Sequence, residues 1–431
     1  MEVLNKEPKI LVIAANPFSD INNNGKTLKS IFSAFQKGSL CELYFRPQDN
    51  VIGDGEFAQS YYAFGEMDII RSIFHFSKKC GGIQSFEKTK AKEIAEDKVY
   101  RSFLNGNLKN IKWLRSLLWK TRRWDTKKYR EWLKDCNPDI VFALLGGPGI
   151  SYTIAQEISK QFKIPLAVYF TDDYLIHPVR KNWLDKWKYA RDEKHYRKII
   201  NASSALFTIG ELMSKEYSAY FGKEFDCIMN SVSLYPFMPK QQAPTIKSIA
   251  YFGGLNLNRW KMISRFSELV SGKAKVIVYT GQEITEEIDK AFKSSGVELG
   301  GFLKGEEVRA KMLESDILLH IESDEKYYRS LTCLSVSTKI PEYLMSSRPV
   351  IAYGPAEIAS IRLISDNDLG ITISSEESEA NQKEVLFDFL DNEEWQQIYV
   401  KRAYEYASSH FDKDKISESL RNKIIQVCKN H

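Results

Sequence analysis

The sequence predicts an α/β protein of two Rossmann-like domains facing a cleft, and three observations carry that prediction. Short apolar runs bounded by polar turns alternate with helical patterns along the 431 residues, as parallel strands covered by helices on both faces do. The runs fall into two series, separated by residues 235–244, where Pro236, Pro239 and Pro244 make a stiff extended connection. The chain is also longer than one hydrophobic core usually supports. The expected organisation is a first domain over 1–235, a linker over 236–247, a second domain over 248–404 and a helical close over 405–431.

Composition narrows the class. With 43% apolar and 27% charged residues, the chain reads as an ordinary globular enzyme and not as a disordered or fibrous protein. The net charge of +5 is modest, so the placement of basic residues matters more than their sum. The six cysteines are scattered, without a C-x-x-C pair or a histidine at ligand spacing, which points to a reducing compartment and no structural zinc. The N-terminus MEVLNKEPKI has no signal-peptide core, and no apolar run reaches the roughly 18 residues of a membrane span. A cytoplasmic location is expected, with peripheral contact at the inner face of the cell membrane left open.

In the first series, residues 9–15 (KILVIAA) read as a central strand, followed by a polar loop over 16–26 and a helical pattern from Thr27. Ligands of α/β sheets bind at such carboxyl ends. Gly25-Lys26-Thr27 invites a phosphate-loop reading, but the pattern requires glycine where this chain has Asp20. From 46 to 136 the pattern is less regular, and Tyr61, Tyr62, Phe64, Phe74 and Phe76 suggest an aromatic-rich loop and helix. Residues 109–134 set ten lysines and arginines against only Asp125 and Glu131, interleaved with Trp113, Trp119, Trp124 and Trp132. That mixture fits an anionic membrane surface. It equally fits a solvated charged face over a tryptophan core. Nucleic acid would accept the same chemistry, but no nucleic acid partner is expected. Residues 139–145, 166–170 and 205–209 are further strands, the first closed by the Gly146-Gly147-Pro148-Gly149 turn. Asp172 and Asp173 follow the second, at a strand's carboxyl end, as candidate catalytic carboxylates; a helix-capping role is the plain alternative.

In the second series, residues 248–252 form a strand leading into Gly253-Gly254-Leu255-Asn256-Leu257-Asn258-Arg259. Strands follow at 275–279, at the Gly301-Phe302-Leu303 end and at 317–321. Ser337 and Thr338 are expected to cap a helix whose first turn holds Pro341 and Glu342, with an anion suited to that end. Val350 to Tyr353, closed by Gly354 and Pro355, is a buried strand, and 370–373 another.

Two of these stretches resemble a known family. Ser337-Thr338-Lys339-Ile340-Pro341-Glu342-Tyr343-Leu344, followed by Pro349-Val350-Ile351, resembles the donor-site motif of family 4 retaining glycosyltransferases of the bacterial polysaccharide type, which have the GT-B fold. The stretch from Tyr251 to Arg259 matches as well. The resemblance implies that Glu342 holds the donor ribose and that Gly253 and Gly254 let the diphosphate approach. It further implies that Arg259, with Lys261 second, neutralises the diphosphate, that Phe302 and Leu303 meet the base, and that Ser337, Thr338 and Lys339 complete the donor site. Asn16, Gly25 and Lys26 would border the acceptor side, and the last helix would return to the first domain. Where the family often carries a second glutamate, this chain has Leu334, and where it often has a histidine beside an aspartate, His177 lies a few residues after Asp173. The implied activity is hexosyl transfer from a nucleotide-sugar donor to a glycan or lipid-linked acceptor in cell-surface polysaccharide synthesis, with retention at the sugar carbon, no cofactor and no essential metal. An epimerase-like nucleotide-sugar enzyme on the same fold and a non-catalytic nucleotide-binding protein are the alternatives.

Overall fold

The computed structural model describes residues 7–19, 23–45, 57–74, 80–84, 119–146, 150–180, 182–240 and 246–431. Two sheets organise them. The first contains β1 (Ile10–Ala14), β2 (Leu40–Tyr44), β3 (Ser60–Ala63), β4 (Gly82–Ile83), β5 (Ile140–Leu145), β6 (Leu166–Phe170), β7 (Ala205–Thr208) and β8 (Asp226–Cys227). Its order is β4-β3-β2-β1-β5-β6-β7-β8, parallel except for the antiparallel β3–β4 edge. The second contains β9 (Lys247–Phe252), β10 (Ala274–Tyr279), β11 (Glu298–Gly301), β12 (Ile317–Ile321), β13 (Val350–Gly354) and β14 (Ile371–Ser374), in the all-parallel order β11-β10-β9-β12-β13-β14. In both sheets the order reverses beside the first strand, between β1 and β5 and between β9 and β12. Chain connections diverge there and leave a crevice at the carboxyl ends of the strands, the place where doubly wound sheets bind ligands.

The strands form because their residues leave no polar edge to water. Every residue of β1, β2, β6, β12 and β13 is buried, and helices cover both faces, so the alternation of a half-exposed strand is missing. One expectation changes here. Tyr61 and Tyr62 belong to strand β3 and not to an aromatic loop, because their rings find an apolar ceiling: Tyr62 packs against Tyr129 and Trp132 at 5.6 and 5.2 Å between centroids. Phe76 lies outside the described residues.

The same packing decides the orientation of the basic tryptophan segment where it is described. Trp124 and Trp132 are buried, and Trp119 packs against the first core while its indole N–H donates to Glu66. Trp132 donates to Ser60 Oγ at 2.7 Å. Arg122 meets Glu157 at 2.8 Å, and Arg130 meets Asp125 at 2.8 Å. Over 119–134 the indoles therefore face the protein and not a membrane; residues 109–118 lie outside the described residues.

The chain crosses between the sheets twice, side by side. Val232 N–H donates to Phe411 O at 2.8 Å and Lys413 N–H to Val232 O at 3.1 Å. After the first crossing the proline-rich stretch is tied to the second unit, Met238 N–H donating to Ser347 Oγ and Arg348 to Met238 O. The helix Glu393–His410 stays with the second unit, where Ala403 and Ala407 are buried. The return accordingly begins at Lys413 and not at 405. Helix Lys413–Asn430 then docks on the helix Asn23–Ile31, with Ser417 Oγ donating to Ile31 O and accepting from Ala34 N–H, while Leu420 and Ile424 enter the first core.

Candidate functional site

At the reversal of the second sheet, β9 leads into Gly253, whose φ of +150° lies in the region that suits glycine. The reason is a close approach. A Cβ on Gly253 would sit 2.5 Å from Lys339 Nζ, so only a bare backbone lets this ammonium lie over the turn. Burial and the neighbouring Arg259 charge pull Lys339 down to about 8, with Glu342 and Glu322 opposing. Lys339 has no ion-pair partner within 4.0 Å among the described residues.

Arg259 opens the helix Arg259–Leu269 and donates from Nη2 to both oxygens of Glu322, at 3.1 and 2.9 Å. Its Nε is buried without a hydrogen-bond partner among the described residues. Glu322, at the end of β12, would resist ionisation because of its burial. Arg259, helped by His320 at 3.3 Å, overcomes this and holds the carboxyl at about 2. His320 itself is pushed below its ordinary value by burial, which leaves Arg259 as the principal counter-charge. Glu322 is thus an ionised group that fixes a guanidinium beside the glycine turn. Its signal in the sequence was a carboxylate at the carboxyl end of a buried strand.

A cavity of about 190 Å³ opens next to this turn, walled on one side by Lys26, Thr27 and Asn230 of the first unit. The other wall contains Gly253, Phe302, Leu303, Thr338, Lys339 and Glu342. Thr27 Oγ1 donates to Asn230 Oδ1 at 2.6 Å. Phe302 is 60% exposed and lies across Gly281, where a Cβ would come within 2.7 Å of the ring, and Lys304 Nζ stands 5.4 Å from the ring centroid. Glu342 is an exposed residue in a crowded recess; the loss of water around its carboxyl raises it above its ordinary value, while Lys26 and Lys339 work against that rise. Lys26 is held in place indirectly. Fully buried Glu42 accepts Phe18 N–H at 3.0 and 3.1 Å, and at Gly25 a Cβ would strike Pro17 O at 2.4 Å, so the loop and the start of the following helix pack without a side chain between them.

Other expected residues stand apart from this cavity. Lys261, exposed, pairs with Glu325 at 2.8 Å on the outer face of its helix. Arg259 contributes through Glu322 and Lys339 and not as a wall of the cavity. Gly254 adjoins Gly253, its carbonyl accepting from Tyr251 OH. Asn16 lies in the β1 loop with a buried Oδ1 that has no hydrogen-bond partner among the described residues. Ser337 and Thr338 do not cap the next helix: it spans only Ile340–Met345, Lys339 occupies the cap position, and no side-chain cap bond forms. Ser337 N–H donates instead to Ser360 Oγ at 2.9 Å. So short a helix gives little dipole, and the positive charge at this end comes from Lys339 and Arg259.

The two candidate catalytic carboxylates have unlike surroundings. Asp173 has no exposure and accepts from the backbone N–H groups of Leu175, Ile176 and His177, from Tyr217 OH at 3.1 Å and from His177 Nδ1 at 3.0 Å. Burial opposes its charge, yet these donors hold its carboxyl below the ordinary value. With every lone pair engaged, Asp173 shapes the loop after β6 and orients His177, and no face is left for a substrate. In turn Asp173 raises the His177 imidazole above its usual value. Asp172 keeps a partly exposed edge, receives Tyr174 OH at 3.1 Å and is raised by burial. Neither carboxylate lines the 190 Å³ cavity.

Leu334 is fully buried among the apolar residues of the first unit. Beside it, Val336 approaches Gly210 so closely that a Cβ there would lie 2.9 Å from its methyl. The position at which the resembling family often has a glutamate is here an apolar contact between the two units.

No protein-family model matches the sequence, and no curated protein does. Solved structures do match in shape. The chain is similar to a mutant of S. aureus TarM solved with fondaparinux, alpha-GlcNAc-glycerol and UDP, with 13% identity and a TM-score of 0.58 over 96% of this chain and 99% of that one. It is similar to WaaG, a glycosyltransferase involved in lipopolysaccharide biosynthesis, with 13% identity and a TM-score of 0.53 over 96% and 99%. It is also similar to the apo form of the lipopolysaccharide outer core galactosyltransferase WaaB, with 14% identity and a TM-score of 0.55 over 97% and 99%. Likeness at these identities establishes the architecture: two parallel-sheet Rossmann-like domains facing a cleft, the GT-B fold.

Proposed function

We propose that the protein is a glycosyltransferase that moves a hexose from a nucleotide-sugar donor to a glycan or lipid-linked acceptor in cell-surface polysaccharide synthesis, with retention at the sugar carbon. One observation carries this reading: Lys339 lies over the bare Gly253 turn, at the reversal point of the second sheet and on the edge of a cavity between the units, within reach of the Arg259 charge behind it. Two cations held so close repel each other, and a diphosphate placed between them and the bare turn would relieve that repulsion. The fold neighbours support the reading: TarM was solved with UDP, and WaaG and WaaB are named for lipopolysaccharide synthesis.

The chemistry follows from the charges. Breaking the bond between sugar and phosphate leaves a nucleoside diphosphate whose negative charge grows as the bond lengthens, and Lys339 and Arg259 supply positive charge fixed before the reaction begins. The proposal assigns that neutralisation to the two side chains and asks for no metal. Glu342, beside the same cavity, would accept the ribose hydroxyls and set the nucleotide's orientation, and the exposed Phe302 ring would take the base. Lys26 and Asn230 close the cavity from the acceptor-side unit. Asp172 and His177, at the carboxyl end of β6, are the groups near the first sheet's crevice with protons to exchange.

A melting-temperature screen with UDP-, GDP-, ADP- and CMP-sugars tests the reading, because a ligand that binds only the folded state raises apparent stability by mass action. One nucleotide class should raise the melting temperature, and the Lys339→Gln variant should lose the shift. If none of the donors moves it, the proposed site fails.

A further inference from the structure

The helix Trp183–Ala202 runs against the usual rule of surface helices. Its residues 182–191 include none that is buried, so its first turns project from the body, and they carry Trp183 at 73%, Leu184 at 54% and Trp187 at 61% exposure. Trp183 and Trp187, four residues apart, share a face with Leu184 and, further along, Arg191 and Lys194. Lys186 and Lys188 flank that face, and all four basic residues are exposed. The acidic residues of the same turns point elsewhere: none of Asp185, Asp192 and Glu193 is exposed, Asp192 being buried against Arg191 and Glu193 paired with Arg197 at 2.8 Å. The opposite face, through Tyr196, Ile199 and Ile200, enters the first core. The helix is apolar on both sides, and only one of the two is covered.

We propose that the projecting end of this helix is a docking surface for an anionic lipid bilayer, with Trp183, Leu184 and Trp187 entering the headgroup region and Lys186, Lys188, Arg191 and Lys194 meeting lipid phosphates. The chemistry selects that occupant. Indoles tolerate the interface between water and hydrocarbon, an exposed leucine gains from hydrocarbon, and cations without exposed acidic neighbours are drawn to negative headgroups. A sugar polymer would stack on the two indoles but would gain nothing from Leu184.

The placement also fits a role in presenting an acceptor. Tyr189, in the second turn, donates to Leu175 O, and the Arg180 guanidinium lies 3.5 Å over its ring. The covered side of the helix is thereby tied directly to the Asp172–His177 loop. A bilayer held by this helix would bring lipid-borne molecules to the carboxyl end of β6. The docking does not depend on glycosyl transfer, since it is read without any donor.

The test is co-sedimentation of the full chain with vesicles of phosphatidylcholine alone or mixed with phosphatidylglycerol. Binding to the mixed vesicles at low salt, weakened by added salt, is expected. Replacing Lys186, Lys188 and Lys194 by glutamine should weaken it on the order of a hundredfold, from about fivefold for each lysine near an anionic surface. The Trp183→Ala/Leu184→Ala/Trp187→Ala variant should lose binding with an unchanged melting temperature, whereas glutamines at Arg122, Arg123, Lys127 and Lys128 should leave it intact. The proposal is overturned if the apolar variant still binds, or if the 122–128 variant is the one that fails. It is equally overturned if neutral vesicles bind as well, or if the three apolar residues prove to hold a dimer in solution.

Discussion

Lys339 offers the sharpest handle, because its charge should respond to the ligand. Without ligand its ammonium titrates near 8, against an ordinary 10.5, because of burial and the Arg259 charge. A nucleoside diphosphate seated at the Gly253 turn reverses the sign of that surrounding field and should return Lys339 towards its ordinary value. Ligand and proton then bind together. Below about pH 8 Lys339 is charged in both states and affinity is flat; above it, affinity falls by up to tenfold per pH unit until the complex itself deprotonates. A full restoration corresponds to roughly 300-fold, or ~3 kcal/mol. Titration calorimetry at about pH 8.5, in two buffers of different ionisation heat, should register a net uptake of protons on ligand binding. Lys339→Met should abolish the uptake and weaken binding. In the free protein the unfolded chain holds this proton more tightly between about pH 8 and 10.5, so the strain is fully present at neutral pH and is relieved as pH rises. The methionine variant should accordingly melt higher than the parent while binding more weakly. Affinity independent of pH together with no proton uptake would refute the assignment of Lys339 to the diphosphate.

Arg259→Ala should weaken nucleoside diphosphate binding by about 1.5 to 3 kcal/mol and should also destabilise the fold by about 3 to 5 kcal/mol, because Glu322 is left buried and unpaired; unchanged chemical denaturation would contradict the ion pair. Glu322, held at about 2 against an ordinary 4.5, contributes stability that is present above about pH 4.5 and lost as pH falls towards 2, about 3 kcal/mol in all; Glu322→Gln should remove that part of the acid transition in circular dichroism. Glu342→Gln should reduce donor affinity and turnover with an unaltered melting temperature, since glutamine keeps the shape and loses the charged acceptor; normal turnover would end its ribose role. Asp173→Asn should cost roughly 2 to 3 kcal/mol of stability by urea unfolding, as several donors lose a charged acceptor, and a variant of full stability would return Asp173 to the catalytic candidates.

Much of the architecture was legible because fully buried strands leave continuous apolar runs, as in β1, β6 and β13, and because the prolines at 236 and 239 interrupt the series. The edge of the first sheet was harder. β3 is tyrosine-rich and owes its burial to Trp132 and Tyr129, far along the chain, and β8 has only two residues, so neither shows a period of its own. Within the site, Gly253, Thr338, Lys339 and Glu342 were pointed to by the resemblance of their stretches to a known family, and the structure sets all four on one cavity. Spacing could not tell that Arg259 turns inward to Glu322 while Lys261 turns out to Glu325, since both belong to the first turn of one helix. Nor could it foresee that Ser337 N–H would be taken by Ser360, a partner brought close only by the fold. The tryptophans of 119–134 show the same limit: composition alone does not say which side of a helix meets the core, and here the core took the indoles.

The most direct test of the central claim is a product assay with the donor picked out by the melting screen: mass spectrometry of the acceptor, alongside quantification of released nucleoside diphosphate. The account predicts that the nucleotide is released only when an acceptor is present, in equal amount to the hexose gained by that acceptor, and that the Lys339→Gln and Glu342→Gln variants lose both signals together. Conversion of the donor to an isomer without acceptor, or tight donor binding with no hexose transferred to any acceptor supplied, would contradict it.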